Sequence, residues 1–317
     1  MSTSHTQRID FIDLAKGICM IAIVVGHCGI DTQGGATIPL FFIISGMFFR
    51  TYNNEKTFYR KKINGILIPF CFFYLISYVP FYLLKWFYPK LLITTSSGIF
   101  DIISNRQFFN GPIWFIITLF WCNIILYYVF KHINKTSIRS FVIILIGIIG
   151  WLSGKYSIFI PAFIDVAMTS LPFFALGYYI KNSKILQFNR FICIIIGVLL
   201  LFLMSYIPYR ISLHYNIIEG VNSYTASIVI AFAILYLSAG IKKLPFVNYF
   251  GKNSLIPLCV HHMIYRPIAI ILQGLNIEYL DNKYLVAIIT LTISSICIPI
   301  FTKVTPHFVG QKDLIKE

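Results

Sequence analysis

The chain consists of apolar runs of near 20 residues separated by short loops that carry most of the charge. Apolar residues in these runs are continuous and do not alternate with polar ones, which indicates helices rather than strands. A run of about 20 apolar residues is long enough to cross the ~30 Å hydrocarbon core of a bilayer. The pattern predicts ten spans, at roughly residues 10–30, 36–50, 63–86, 111–131, 138–154, 160–180, 190–207, 222–241, 254–272 and 284–302.

The composition agrees with a membrane protein. Apolar residues make up 58% of the chain and charged residues 12%, whereas soluble domains contain about 25% charged residues. Lipid allows only helices and closed barrels to span, so we expect residues 1–317 to form a single all-α polytopic domain. The first apolar run contains Asp13, Lys16 and His27, which suits a retained span better than a cleavable signal peptide.

The basic residues predict the orientation in the membrane. A net charge of +15 could indicate nucleic-acid binding, but the basic residues lie in the loops between spans. With the N-terminus inside, eighteen of the 26 basic residues fall on the cytoplasmic side and six on the other. Cytoplasmic loops carry such an excess of lysine and arginine. We therefore expect both termini in the cytoplasm, a multi-pass location in the cytoplasmic membrane with the lipid bilayer as partner, and no nucleic-acid partner.

Several ionisable residues lie inside the predicted spans instead of in the loops. Such groups are costly at membrane depth and usually face a cavity or each other. They are the main functional signal in the sequence. The set comprises Asp13, Lys16, His27, Asp165, His261, His262 and Arg266.

In the first span, Lys16 and His27 share one helix face. Eleven residues separate them, which returns a helix to within ~20° and spans about 16 Å. Asp13 lies one turn before Lys16 and near the cytoplasmic end. The pattern leaves simpler interpretations open, because Asp13 and Lys16 could merely pair, Lys16 could extend to the interface, and His27 could bond a backbone carbonyl.

The same residues resemble a known family. IDLAKGICMIAIVVGH looks like the opening of the acyltransferase-3 family of membrane acyltransferases, and especially the branch similar to fucose 4-O-acetylase. That opening has a basic residue, ten intervening residues and a histidine, here Lys16 and His27, although arginine is commoner at the first position. Further segments resemble the family in order along nearly the whole chain: PLFFIISGMF, FYRKKINGILIP, GPIWFI, LPFFALGYYIKN and GKNSLIPLCVHH.

The resemblance implies a ten-span enzyme that moves an acyl group, usually acetyl, from cytoplasmic acetyl-CoA to a hydroxyl of an extracytoplasmic or lipid-linked glycan. On this interpretation the catalytic residues are His27 and Asp13. The donor would contact Lys16, Arg60, Lys61, Lys62 and Ser45. The acceptor would contact Trp114, Asp165, His261 and Arg266.

The chemistry is compatible with the geometry of the first span. Attack of a sugar hydroxyl on a thioester needs a base, and histidine suits that role near neutral pH. His27 would lie near the outer face, whereas Lys16 and the basic loop could hold phosphates at the inner mouth. A lysine supplies the charge of an arginine but not its planar fork. Whether His27 acts as a base or is itself acylated is left open.

Purely structural interpretations also fit the remaining residues. The Arg60–Lys62 run also resembles any cytoplasmic loop, Ser45 suits a helix crossing, and Trp114 suits an interfacial aromatic belt. Asp165 and Arg266 could pair with each other or orient His27 or the acceptor.

Histidine spacing gives no indication of a metal. His262 is expected to point about 100° away from His261 and to be structural. The three span histidines show no spacing typical of metal ligands, so no metal is expected.

Two other classes of function remain open. A transporter or exporter of a small polar solute would also bury charges, and a membrane sensory domain could share the fold, although no fused domain is present. No internal repeat is visible, which weakens the transporter. The sequence does not decide between a monomer and a homo-oligomer.

Overall fold

The fold is described from a computed structural model, over residues 10–32, 34–52, 54–87, 110–183, 188–275 and 277–316. Arg8, Lys90, Arg106 and Lys184, which contributed to the predicted orientation, lie outside the described residues. The long helices are Asp10–His27 (α1), Gly34–Met47 (α2), Ile68–Phe87 (α4), Trp114–His132 (α5), Thr136–Lys155 (α6), Ile164–Ile180 (α7), Arg190–Met204 (α8), Gly220–Ile241 (α9), Leu255–Gly274 (α11) and Lys283–Val304 (α12). Two shorter helices are Glu55–Lys62 (α3) and Pro245–Lys252 (α10).

Each predicted span corresponds to one long helix, and the all-α polytopic membrane fold is confirmed. Within the described part of the chain, seven helices are long and apolar enough to cross a membrane. Helices α2 and α8, with 14 and 15 residues, are shorter, and α1 carries three charged residues in its first half. That all ten helices cross, and that both termini are cytoplasmic, stay predictions.

Glycines allow two close helix crossings that position α1 and α2. A Cβ at Gly46 of α2 would lie 1.8 Å from the carbonyl oxygen of Phe174 in α7, and one at Gly177 would lie 1.8 Å from that of Ile43. Gly251 of α10 approaches the Asp13 carbonyl of α1 equally closely, at 1.7 Å. Small residues permit such backbone contacts in membrane bundles.

A single π-helical turn, Ile63–Leu67, joins the basic helix α3 to α4 without a break. Asn64 in this turn is buried and binds the C-terminal tail. Its Oδ1 accepts hydrogen bonds from the backbone N–H groups of Leu314 and Ile315, each at 2.9 Å, and its Nδ2 donates to the Ile315 carbonyl at 2.9 Å. The tail is therefore tied to the loop that precedes α4.

A short hairpin lies between α8 and α9. Its strands, Ile211–Ser212 and Ile217–Ile218, pair antiparallel with Ile211 opposite Ile218. Asn216 in the hairpin is buried, and its Nδ2 donates to the Gly150 carbonyl of α6 at 3.0 Å. The Trp151 indole N–H donates to the Ile218 carbonyl at 2.9 Å. These bonds fix the hairpin against α6 at the end that the predicted topology places outside.

Candidate active site

Three histidines from distant parts of the chain meet in the bundle. His27 is the last residue of α1, whereas His261 and His262 lie in α11. The ring of His27 lies 5.3 Å from that of His261 and 4.5 Å from that of His262, between centroids. One nitrogen of each ring lies within 4.8 Å of the other two. The bundle thus gathers three imidazoles at one point.

The prediction that His262 points away from the site is wrong. Its ring packs edge-on against His27 and lies 5.1 Å from the ring of His261. The 100° offset between His261 and His262 describes helix α11 alone, and a histidine side chain can still turn its ring toward a neighbouring helix. Because His27 ends α1 next to α11, both consecutive histidines reach it. His262 therefore belongs to the same cluster as His261.

His261 is held in one orientation by its own helix. Its Nδ1 lies 2.7 Å from the Pro257 carbonyl oxygen. A carbonyl can only accept, so Nδ1 carries the proton and donates this bond. The neutral ring then presents Nε2 as an acceptor, and Nε2 is buried without a hydrogen-bond partner among the described residues. His261 therefore offers a lone pair to the cluster.

The segment before α5 packs directly on the cluster. Asn110 is fully buried, and its Nδ2 donates to the Cys259 carbonyl of α11 at 2.8 Å. A Cβ at the next residue, Gly111, would lie 3.3 Å from Cε1 of His262. The Asn110 bond and the small residue beside it thus place backbone against the His262 ring.

A cavity of about 40 Å³ lies beside His27. One water-sized sphere needs about 10–15 Å³ on this measure, so the cavity holds about three such groups. Apart from His27, its walls are largely apolar. They are formed by Ile23, His27, Ile38, Phe41, Pro112, Trp114, Phe115 and Leu258.

Trp114 is one wall of this cavity. It is only 4% exposed, so the interfacial-belt interpretation, which requires a ring that faces the interface, does not fit. Its ring lies parallel to that of His214 in the hairpin, at 5.8 Å and 13°, and 6.1 Å from the ring of Phe163. The hairpin thereby supports the cavity wall from its outer side.

Asp13 and Lys16 form the ion pair that the sequence left open, with Lys16 Nζ 3.4 Å from Asp13 Oδ1. Both side chains are largely buried in the first half of α1. Lys16 lies about three turns, and Asp13 about four turns, before His27 on the same helix. The ion pair is compatible with a role of Lys16 in donor binding, since a paired ammonium still has donors for a second anion.

Asp165 and Arg266 lie in different surroundings. Asp165 is fully buried at the start of α7, and its Oδ2 accepts a hydrogen bond from Asn216 of the hairpin at 3.1 Å. Arg266 lies one turn beyond His262 in α11. The structure thus associates Arg266 with the histidine cluster and Asp165 with the anchoring of the hairpin.

The basic residues assigned to the donor lie on α3 and have partners of their own. Lys61 Nζ lies 2.5 Å from Asp313 Oδ2 in the C-terminal tail. The Lys62 ammonium lies 5.8 Å from the centroid of the Phe49 ring. Arg60 precedes them in the last turn of α3. A donor phosphate at this helix would meet a tail carboxylate as well as the lysines.

Ser45 precedes the crossing glycine of α2. Because Gly46 makes the close contact with α7, the Ser-Gly pair serves the crossing of α2 with α7. Ser45 itself is half-buried. It lies in the last turn of α2, about one turn beyond the cavity residue Phe41 and two turns beyond Ile38.

Sequence reasoning missed three features of this site. Tyr265 stacks at 6.2 Å from the ring of His27 and lies 4.9 Å from that of His262. The four-residue spacing from His261 places Tyr265 on the same face of α11, a signal that was available. Asn110 and His214 carry no such signal, because loop packing alone brings them to α11 and to Trp114.

These features define a multi-pass membrane protein in which three histidines cluster beside a small, largely apolar cavity lined by one of them, His27. The chain belongs to the acyltransferase-3 family, because the family model described as an acyltransferase domain matches residues 9–304. It is therefore a membrane acyltransferase. Comparisons with curated proteins and with solved structures found no match. The resemblance to the fucose 4-O-acetylase branch stays a prediction.

Proposed function

We propose that the protein transfers an acetyl group from cytoplasmic acetyl-CoA to a hydroxyl of an extracytoplasmic or lipid-linked glycan, within the cytoplasmic membrane. The observation that carries this proposal is the position of His27. It faces a cavity that it shares with Trp114, and it lies on the helix that carries Lys16 toward the predicted cytoplasmic end.

In the proposed reaction, His27 accepts the proton of the sugar hydroxyl as its oxygen attacks the thioester carbonyl. The new ester C–O bond forms, the C–S bond breaks, and the coenzyme A thiolate leaves. The imidazolium of His27 then returns its proton to that thiolate.

The size of the cavity favours acetyl over longer acyl groups. An acetyl group has three non-hydrogen atoms, and the cavity holds about three water-sized groups. The apolar walls formed by Ile23, Ile38 and Leu258 suit a methyl group.

Donor binding is assigned to the cytoplasmic side of the bundle. Lys16 in α1 and Lys61 and Lys62 in α3 supply cations for the phosphates of coenzyme A. The acceptor is assigned to the outer side, where Trp114 offers an aromatic wall and the hairpin residue His214 supports it.

The test compares the acetyl content of the surface polysaccharide in cells with and without the gene. Deletion should remove alkali-labile acetyl groups, and the wild-type gene should restore them. A gene carrying His27→Ala should not restore them, whereas His132→Ala, a histidine change far along the chain at the end of α5, should. Unchanged acetyl content after deletion would overturn the glycan as acceptor. Restoration by His27→Ala would overturn the role of His27.

A further inference from the structure

The histidine cluster has a second chemical capability besides base catalysis. We propose that His27, His261 and His262 form a binding site for a divalent transition metal ion, with Zn²⁺ as the representative ion, and that the bound ion inhibits acyl transfer. The inhibitory half of this proposal rests on the proposed function, while the binding half does not.

The first support is convergence. One nitrogen of each of the three rings lies within 4.8 Å of the other two. Zinc binds imidazole nitrogens at about 2.0–2.1 Å in tetrahedral sites, which places such nitrogens about 3.4 Å apart. Binding would therefore require the rings to tilt and draw these nitrogens closer together than they lie in this structure. Three protein ligands and one open position are the pattern of zinc sites that keep a solvent ligand.

The second support is the hydrogen bond that orients His261. Histidine ligands of metals almost always donate their other ring N–H to a carboxylate, a backbone carbonyl or water, which fixes the tautomer and the ring. His261 makes this bond to the Pro257 carbonyl at 2.7 Å. Its Nε2, fully buried and without a hydrogen-bond partner among the described residues, is left as the ligand atom.

The surroundings determine which ion fits. Neutral imidazoles prefer zinc, copper, nickel and cobalt to magnesium or calcium. His261 and His262 are buried, while His27 is exposed and lines the cavity, so the fourth position would open on the side of His27 and take water. The positive charge of Arg266, one turn beyond His262 in α11, opposes a cation. We therefore expect reversible binding of moderate affinity, as suits an inhibitory ion.

Inhibition follows from the shared nitrogen. A lone pair of His27 that binds a metal ion cannot also accept the proton of a sugar hydroxyl. The ion would also occupy the space at the cavity beside the His27 ring. Removing the ion with a chelator should restore a free imidazole, so the loss of activity should be reversible.

Binding is tested first, without any transfer assay. The full-length protein is purified in detergent, stripped with a chelator and titrated with Co²⁺, whose visible spectrum reports four-coordinate ligation. We expect a saturable spectrum at one ion per chain. His261→Gln and His262→Gln should each weaken binding more than tenfold, because removal of an outer-shell partner alone costs about 10–100-fold. The matched control His132→Gln should leave it unchanged.

The possible outcomes are distinct. A missing saturable spectrum in the wild type, or equal affinity in all three variants, would overturn the site. Should a variant not fold, X-ray absorption of the zinc-loaded wild-type protein counts the imidazole ligands: three support the site and fewer than three overturn it.

The inhibitory half has its own measurement. Saturating Zn²⁺ should abolish acetyl transfer by the wild type and a chelator should restore it, whereas His262→Gln should need at least tenfold more Zn²⁺. Metal binding without inhibition would overturn this half alone. Metal binding in a protein that transfers no acetyl group would leave the site intact and overturn the proposed function.

Discussion

The ring of His27 lies 5.3 Å from the ring of His261, although the two residues come from the first and the penultimate long helices of the chain. This contact joins the ends of the chain in a single site. It explains why His27 of the opening segment and His261 of the late segment belong together. In the sequence alone they are parts of two separate resemblances.

Replacement of His27 tests the base. We expect His27→Ala to lower the rate of acetyl transfer by about 10²–10⁴-fold, the usual value of a positioned base, while coenzyme A binding and folded yield stay near wild type. Transfer rate, coenzyme A affinity and the elution profile in detergent should be measured on the same preparation. A folded variant that retains transfer within a few-fold of wild type would assign the base elsewhere, with His261 as the next candidate.

Lys16 tests the donor site. Lys16→Ala should weaken acetyl-CoA binding by about 10–100-fold, since hydrogen bonds to charged groups contribute about 1.5–3 kcal/mol. Lys16→Arg should largely preserve it, because either cation attracts phosphate. The affinity can be measured by calorimetry on detergent-solubilised protein. Asp13→Asn is the control, because it breaks the ion pair and keeps the Lys16 ammonium. If Lys16 serves only to neutralise Asp13, Lys16→Ala will lower the folded yield and leave the acetyl-CoA affinity unchanged.

Ile38 tests the size of the cavity. Ile38→Ala shortens a side chain in one wall and so enlarges the cavity. It should raise the preference for propionyl-CoA relative to acetyl-CoA about tenfold or more in kcat/KM, since one methylene in an apolar pocket is worth about 1–3 kcal/mol. The matched control is Ile144→Ala, at an exposed position in α6. An unchanged donor preference in Ile38→Ala would place the acyl group outside this cavity.

Gly46 tests the crossing of α2 with α7. Gly46→Ala would put a Cβ 1.8 Å from the Phe174 carbonyl oxygen, so we expect a loss of stability of about 1–3 kcal/mol or more from overpacking. Gly65→Ala, where nothing lies within 4 Å of the added Cβ, should change it by about 0.5 kcal/mol or less. Thermal unfolding in detergent measures both. Equal unfolding temperatures would show that α2 and α7 separate at this point.

The orientation of the chain is tested with reporters. The excess of basic residues on one side predicts cytoplasmic termini and ten spans. A reporter that is active only in the cytoplasm should work at the C-terminus and fail in the hairpin loop at Tyr215. Activity of a periplasm-specific reporter at the C-terminus would contradict the prediction.

Much of the fold follows from the sequence because most of the predicted spans are long, apolar and local. The shared face of Lys16 and His27 also follows, since it depends only on the turn of one helix. The convergence of His262 on His27 did not follow, because it depends on how two helices pack. The anchoring of Asp165 by Asn216, and the support of Trp114 by His214, depend on a loop that has no periodic pattern.

The three hydrogen bonds between Asn64 and the tail residues Leu314 and Ile315 have a practical consequence for protein engineering. A tag or fusion partner joined after the tail is attached, in effect, beside the π-helical turn that leads into α4. A reporter at the C-terminus therefore shows on which side of the membrane both the terminus and this π-helical turn lie. A bulky partner without a linker would strain the Asn64 contacts, so tags for purification are better separated from Ile315 by a flexible spacer.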